Sequence, residues 1–193
     1  DQYLFDQKLH SKAIDYLRTQ IKKSKDTDIQ LSMRYRVRSI DHLEEIADFK
    51  NILKELKIVI NYCISNMGVE HQATLTNTYK YCFYMFKLNQ FNSCKNYLLK
   101  QYKIYIQYYV NDELNLRGPF LQLLGKVHSE LSLHNKALTY FSECIKHEEY
   151  AYQSNEDPEG LISVYKDCIK YLKKDNLDFV NEVKIKLEQI QSS

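Results

Sequence analysis

The sequence predicts an all-α protein, an α-solenoid of repeated helix hairpins. The chain of 193 residues contains only 4 glycines and 2 prolines, whereas a β protein of this length would need many turns. Its residues are 44% hydrophobic and 27% charged, a balance typical of folded proteins and too apolar for disorder. Apolar residues recur at helical spacing, and small residues among them recur with a fixed period, which indicates repetition.

The repeat is visible in small residues that follow one another at a spacing of 43. Cys82, Gly125 and Cys168 have this spacing, each inside an apolar helical pattern. A second set, expected on the facing helix of each hairpin, has the same spacing: Cys94, Ala137 and Val180. Small residues at both positions let two antiparallel helices approach closely, because a bulky side chain there would cost about 1–3 kcal/mol.

This period divides the chain into a single array, which we expect to be a segment of a longer polypeptide. Residues 1–25 form a truncated repeat, in which residues 9–17 (LHSKAIDYL) echo residues 133–141 (LHNKALTYF) and residues 3–8 are the remnant of a preceding helix. A degenerate repeat follows at 26–68. The remaining repeats are complete and span 69–112, 113–155 and 156–193.

Helix ends follow from capping residues and prolines. The predicted helices span residues 29–46, 48–66, 73–88, 93–110, 119–131, 136–152, 159–174 and 178–191. Gly68 is expected to end a helix, because glycine accepts the left-handed conformation. Asn92 is a predicted N-cap, Pro119 suits a first turn, and Asp157 with Pro158 opens a further helix.

The best-preserved hairpin, LQLLGKVHSELSLHNKALTYFSECI at residues 121–145, resembles the tetratricopeptide repeat. The period of 43 exceeds the basic length of about 34. Longer repeats of this kind are similar to those of kinesin light chains and related ciliary adaptors, and GVEHQATLTNTY at 68–79 resembles their linker and first helix. The resemblance implies a right-handed solenoid that binds other proteins.

The resemblance also implies that the first helix of each repeat lines a concave, peptide-binding groove. The groove-facing candidates are Tyr79, Lys80, Phe83, Phe86 and Lys87, then Gln122, Lys126, Ser129 and Glu130, then Tyr165, Lys166, Ile169 and Lys173. The lysine–asparagine clamp of chaperone-binding members is absent from the matching positions. The groove should therefore suit acidic or amphipathic segments. Alternatively, the lysines are merely solvated and the aromatic residues belong to the core, or the rest of the polypeptide fills the groove.

An arginine cluster, Arg34, Arg36 and Arg38, allows two interpretations. It could contact RNA or an acidic partner, but 27 basic against 25 acidic residues argue against nucleic-acid binding. Arg34 and Arg38 share a helix face, with Asp41 and Glu45 one turn onward. The favoured interpretation is a salt-bridge ladder within this helix.

Nothing in the sequence indicates catalysis, a cofactor or a metal site. The 5 cysteines form no CxxC pair and are expected to be reduced, buried residues of a cytoplasmic protein. His128 is expected to pack in the core, and His147 to belong to a charged helix end with Glu148 and Glu149. Zinc-binding spacing, phosphate loops, nucleophile elbows, signal peptides and membrane-length apolar runs are all missing.

The predicted function is that of a non-catalytic scaffold or adaptor within a multiprotein complex. The kinesin-light-chain resemblance favours a cytoskeletal or ciliary machine. Two alternatives stay open. The groove could bind a short peptide and control an attached effector domain, or the array could be the helical accessory domain of a larger enzyme.

Overall fold

A computed structural model describes residues 2–155, 158–172 and 176–192, and these residues form α-helices with no strand among them. The helices are α1 (Gln2–Ser24), α2 (Ile29–Glu45), α3 (Phe49–Met67), α4 (Gln72–Lys87), α5 (Phe91–Tyr108), α6 (Arg117–Glu130), α7 (His134–Asn155), α8 (Glu159–Leu172) and α9 (Leu177–Ser192). They divide into two compact units, Asp1–Gln90 with α1–α4 and Phe91–Ser193 with α5–α9. The all-α helix-hairpin prediction is confirmed.

The tight turns inside the hairpins share one backbone geometry. Ala47, Asn89 and Ser132 have left-handed φ angles of 53°, 58° and 57°. The next amide donates to the carbonyl five residues earlier in each turn: Asp48 to Leu43 (2.9 Å), Gln90 to Met85 (2.9 Å) and Leu133 to His128 (2.8 Å). This is the Schellman arrangement, which satisfies carbonyls at a helix end. The turns recur every 42 to 43 residues, in agreement with the predicted period.

The predicted small position Gly125 lies where α6 crosses α7. A β-carbon built on Gly125 would lie 2.9 Å from the ring of Phe141 on α7, closer than carbon atoms pack. The side chains at the other small positions are completely buried: Cys82, Cys94, Ala137, Cys168 and Val180. Their burial confirms that these residues are core.

Each unit has its own apolar core. In the first unit the buried cluster comprises Ile14, Ile40, Leu43, Ile52, Leu56, Ile60 and Tyr84. In the second, α6–α9 contribute Leu121, Ala137, Phe141, Cys144, Ile145, Leu161, Val164, Tyr165, Cys168, Leu172, Val180 and Val183. Burying one large apolar side chain stabilises the fold by about 1.5–3 kcal/mol, so these clusters dominate the stability of each unit.

Most predicted helix ends are confirmed to within two or three residues. Gly68 ends α3 with φ +102°, and Pro119 lies in the first turn of α6. Two predictions are wrong. Residues 3–8 are continuous with α1, because nothing in that stretch breaks a helix, and Asn92 lies inside α5, which already begins at Phe91. The predicted cap at Asp157 lies outside the described residues.

Candidate protein-binding surface

A pocket of about 550 Å³ opens in the first unit between α2, α3 and α4. Its lining residues are Gln30, Met33, Arg34, Val37, Arg38, Val59, Tyr62, Cys63, Met67, Ala73 and Asn77. None of them is acidic. The rim keeps apolar surface in contact with water, since Val37 is 42% exposed and Met67 is 45% exposed.

The pocket exists because α2 and α4 do not pack directly against each other, whereas the corresponding helices α6 and α8 of the second unit do. Polar contacts join α6 to α8: Gln122 Nε2 donates to Asp167 Oδ2 at 2.7 Å, and Ser129 Oγ donates to the Tyr171 carbonyl at 2.6 Å. The space between α2 and α4 leaves side chains of α3 as the floor of the pocket.

The arginines of α2 separate into two environments. Arg36 Nη1 lies 2.5 Å from Glu55 Oε2 on α3, and both side chains are about four-fifths buried. Arg34 and Arg38 are exposed and line the pocket. Within the described part of the chain neither forms an ion pair. The predicted salt-bridge ladder along α2 is therefore wrong, because these two side chains lie along the pocket and do not pair with Asp41 or Glu45.

The sequence did not predict this pocket, although a signal for it exists. Gln30, Met33, Arg34, Val37 and Arg38 recur at spacings of three and four, which places them on one face of α2. The core residues of the helix are Ile40 and Leu43, and Ile40 lies one turn after Val37, at the edge of this face. A second apolar stripe on a surface helix is the feature that sequence reasoning missed.

The predicted groove residues of α4 lie at or near the surface. Lys80 and Lys87 are exposed, and Tyr79, Phe83 and Phe86 are partly buried. The Lys87 ammonium lies 5.2 Å above the centre of the Phe83 ring, at the distance of a cation–π contact. These residues stay candidates for binding.

Several predicted groove residues of the second unit are held by contacts with other side chains of the protein. Lys126 forms an ion pair with Asp167, which also accepts from Gln122, and the Lys126 side chain is only 19% exposed. Tyr165 is 2% exposed, and its hydroxyl donates to Glu149 Oε1 at 2.8 Å. Burial and the adjacent carboxylate raise the pKa of Tyr165.

Contacts across the hairpins hold the side chains of both Tyr165 and Lys126, and their part in binding stays a prediction. Lys166 is exposed, and Ile169 packs partly against the core. The predicted groove position Lys173 lies outside the described residues.

The buried thiols and the buried histidine are packing residues. All five cysteines are free and buried. Burial raises the pKa of Cys144, and it raises that of Cys168 to about 12, which suppresses the reactive thiolate. His128 is 1% exposed, its Nδ1 donates to the Leu124 carbonyl at 2.8 Å, and its ring packs on Tyr140. Its burial lowers its pKa, so the predicted packing role is confirmed.

The described residues contain neither a metal-binding cluster nor a membrane-spanning helix. Among them, no group of three or more His, Cys, Asp or Glu side chains is arranged to hold a metal ion. No helix in this part of the chain is long and apolar enough to cross a membrane.

Comparisons with known proteins give a match in structure but not in sequence. No protein-family model and no curated protein sequence matches the chain. Two crystal structures of TPR-like repeats from a Podosopora anserina putative kinesin light chain are similar, with TM-scores of 0.76 and 0.75 and 9% and 10% identity. Each alignment covers 99% of this chain and 93% of the other.

A further crystal structure, BtubC (BKLC) from P. vanneervenii, matches with a TM-score of 0.78 and 10% identity. That alignment covers 95% of this chain and 73% of the other. Structural similarity at identities of 9–10% shows a shared fold and does not show a shared function. The chain therefore has the fold of the tetratricopeptide-like repeat proteins.

Proposed function

We propose that the chain is a non-catalytic scaffold that holds other proteins in a multiprotein assembly, with the pocket between α2, α3 and α4 as a binding site. One observation carries this proposal. Arg34 and Arg38, exposed and without ion pairs among the described residues, border an apolar floor that has no acidic side chain. An exposed apolar surface of this kind marks an interaction site.

The chemistry of the pocket fits an acidic amphipathic segment of a partner protein. Its apolar side chains would cover Val37, Val59 and Met67, and its carboxylates would pair with the two guanidinium groups. Arginine suits this task because its planar fork binds a carboxylate through two parallel hydrogen bonds.

A cytoplasmic location and a cytoskeletal or ciliary assembly are the finer part of the proposal. Two of the similar structures come from a putative kinesin light chain, which supports a cytoskeletal context without identifying a partner. The peptide-responsive regulator and the enzyme accessory domain have no observation of their own in their favour.

Crosslinking mass spectrometry of the protein in its native cell extract tests the proposal. The wild type is compared with Arg34→Glu/Arg38→Glu and with the control Lys50→Glu/Lys57→Glu, which changes the net charge equally at exposed positions of α3 outside the pocket. We expect stoichiometric partners crosslinked next to the pocket to be lost only in the arginine variant. Two reversed charge-assisted contacts should weaken binding by about 100-fold or more. Equal partner capture by both variants would exclude the pocket.

A further inference from the structure

A histidine in the second unit lies between two carboxylates. His147 is on α7, and its Nε2 atom lies 3.0 Å from Asp112 Oδ2, in the segment between α5 and α6. Its Nδ1 atom lies 3.2 Å from Oε1 of the neighbouring Glu148. Asp112 is 35 positions away in sequence, so the imidazole joins the α5–α6 connection to α7.

Asp112 accepts hydrogen bonds from main-chain and side-chain donors. Its Oδ1 atom accepts hydrogen bonds from the amides of Leu116 and Arg117, both at 3.0 Å, and from the Tyr105 hydroxyl. Because Leu116 and Arg117 begin α6, Asp112 also satisfies amides at the N-terminus of that helix.

Glu148 is placed against the first turns of two helices. A β-carbon on Gly118, in α6, would overlap Glu148 Oε1, and one on Gly160, in α8, would lie 2.5 Å from Glu148 Oε2. Glycine at both positions therefore leaves room for the carboxylate. The positive ends of α6 and α8 favour its negative charge.

The positions of these atoms determine the protonation state of the imidazole. A neutral imidazole has one N–H and one lone pair, so it can donate to only one of two carboxylates and repels the other. Only the imidazolium donates from both nitrogens. We propose that His147 is a proton-operated clasp, which in its protonated form fastens the α5–α6 connection and the start of α6 to α7 and releases them when it loses its proton.

The direction of the titration agrees with this geometry. The pKa of His147 is raised from 6.5, first by its hydrogen bond to Glu148; burial opposes the shift, and the nearby charge of Asp112 adds to it. A group whose pKa is raised in the folded state contributes stability that is complete below its unfolded pKa. The clasp should therefore be closed below pH 6.5 and open as the pH rises through the folded-state pKa.

Further charged and titratable groups lie around His147. Arg117 on α6 and the α7 residues Glu143, Lys146 and Tyr150 line the adjoining pocket. The buried Cys144 thiol donates to the Gly118 carbonyl at 3.3 Å, and burial raises its pKa. The two cations oppose protonation of His147, and the carboxylate of Glu143 favours it.

An NMR titration of the histidine ring protons in the folded chain tests the proposal. We expect His147 to titrate above 6.5, whereas the buried His128, whose pKa is lowered, is the internal control. Asp112→Asn and Glu148→Gln remove one anion each with little change of shape, and each should lower the midpoint of His147. A wild-type midpoint at or below 6.5, or one that neither variant moves, would overturn the clasp.

Hydrogen exchange measures the release itself. The measured rates are first corrected for the pH dependence of chemical amide exchange. Protection of the Leu116 and Arg117 amides should then fall as His147 loses its proton, by up to tenfold for each pH unit by which the fold raises the pKa of His147. His147→Gln should abolish this dependence. If that variant does not fold, Asp112→Asn supplies the comparison, since Asn can still accept from both amides. Protection that stays constant across the titration would contradict the proposal.

Discussion

At the scale of single residues, the crossing of α6 and α7 depends on a missing side chain. Gly125 on α6 lies directly under the Phe141 ring of α7, which is completely buried. The equivalent position of the next hairpin holds Cys168, so the tolerance for a side chain differs between repeats. The large neighbour is what makes glycine necessary at position 125.

We expect Gly125→Ala to lower the free energy of unfolding by about 1–2 kcal/mol. The overlap with Phe141 costs about 1–3 kcal/mol, and the better helix propensity of alanine returns up to about 1 kcal/mol. Urea unfolding of the single variants and of Gly125→Ala/Phe141→Leu forms a double-mutant cycle. In the Phe141→Leu background the alanine should be neutral or stabilising. If it costs the same in both backgrounds, the contact with Phe141 is not the cause.

At the scale of elements, the turns inside the hairpins are held by backbone hydrogen bonds and not by a particular side chain. Ala47 occupies a left-handed conformation with φ 53° and is exposed. Alanine is strained there because its β-carbon crowds the following carbonyl. Glycine avoids that strain.

Ala47→Gly should therefore raise the free energy of unfolding by about 0.5–1 kcal/mol, after the entropy that glycine gains in the unfolded chain is subtracted from the relieved strain. Thermal and urea unfolding measure the change. The matched control is Ala13→Gly inside α1, which should destabilise by about 0.5–1 kcal/mol. A loss of stability in both variants would show that the turn is not strained.

The contact between α6 and α8 is a second feature at the scale of elements. Lys126 pairs with Asp167 across the two helices, whereas the exposed Lys166 forms no ion pair within the described residues. Lys126→Glu would place two carboxylates together in a site that is about four-fifths buried. Lys166→Glu would not.

Lys126→Glu should accordingly cost about 1–2 kcal/mol of stability, and Lys166→Glu less than about 0.5 kcal/mol. Urea unfolding compares the two. Adding Asp167→Lys should restore part of the loss by reversing the pair. Equal effects of the two lysine variants would mean that the ion pair contributes nothing.

At the scale of the molecule, the fold could be predicted from sequence because its determinants are local. Helix boundaries follow from breakers and caps, and the hairpin crossings follow from small residues such as Gly125 at a fixed period. The binding surface depends on distances between helices. Whether Arg34 pairs along its own helix or lines a pocket depends on the separation of α2 from α4. Likewise, Lys126 is captured by Asp167, and His147 by Asp112, across long stretches of chain.

The left-handed turns explain why this fold can be kept when the side chains change. Ala47, Asn89 and Ser132 share one geometry without sharing a side chain, since main-chain groups make the defining bonds. Substitutions at these positions change the backbone strain of the turn by less than the stability of a helix, and the main-chain hydrogen bonds of the turn are kept. Successive repeats can therefore diverge independently, residue by residue. The backbone accordingly superposes on other repeat proteins at 9–10% identity.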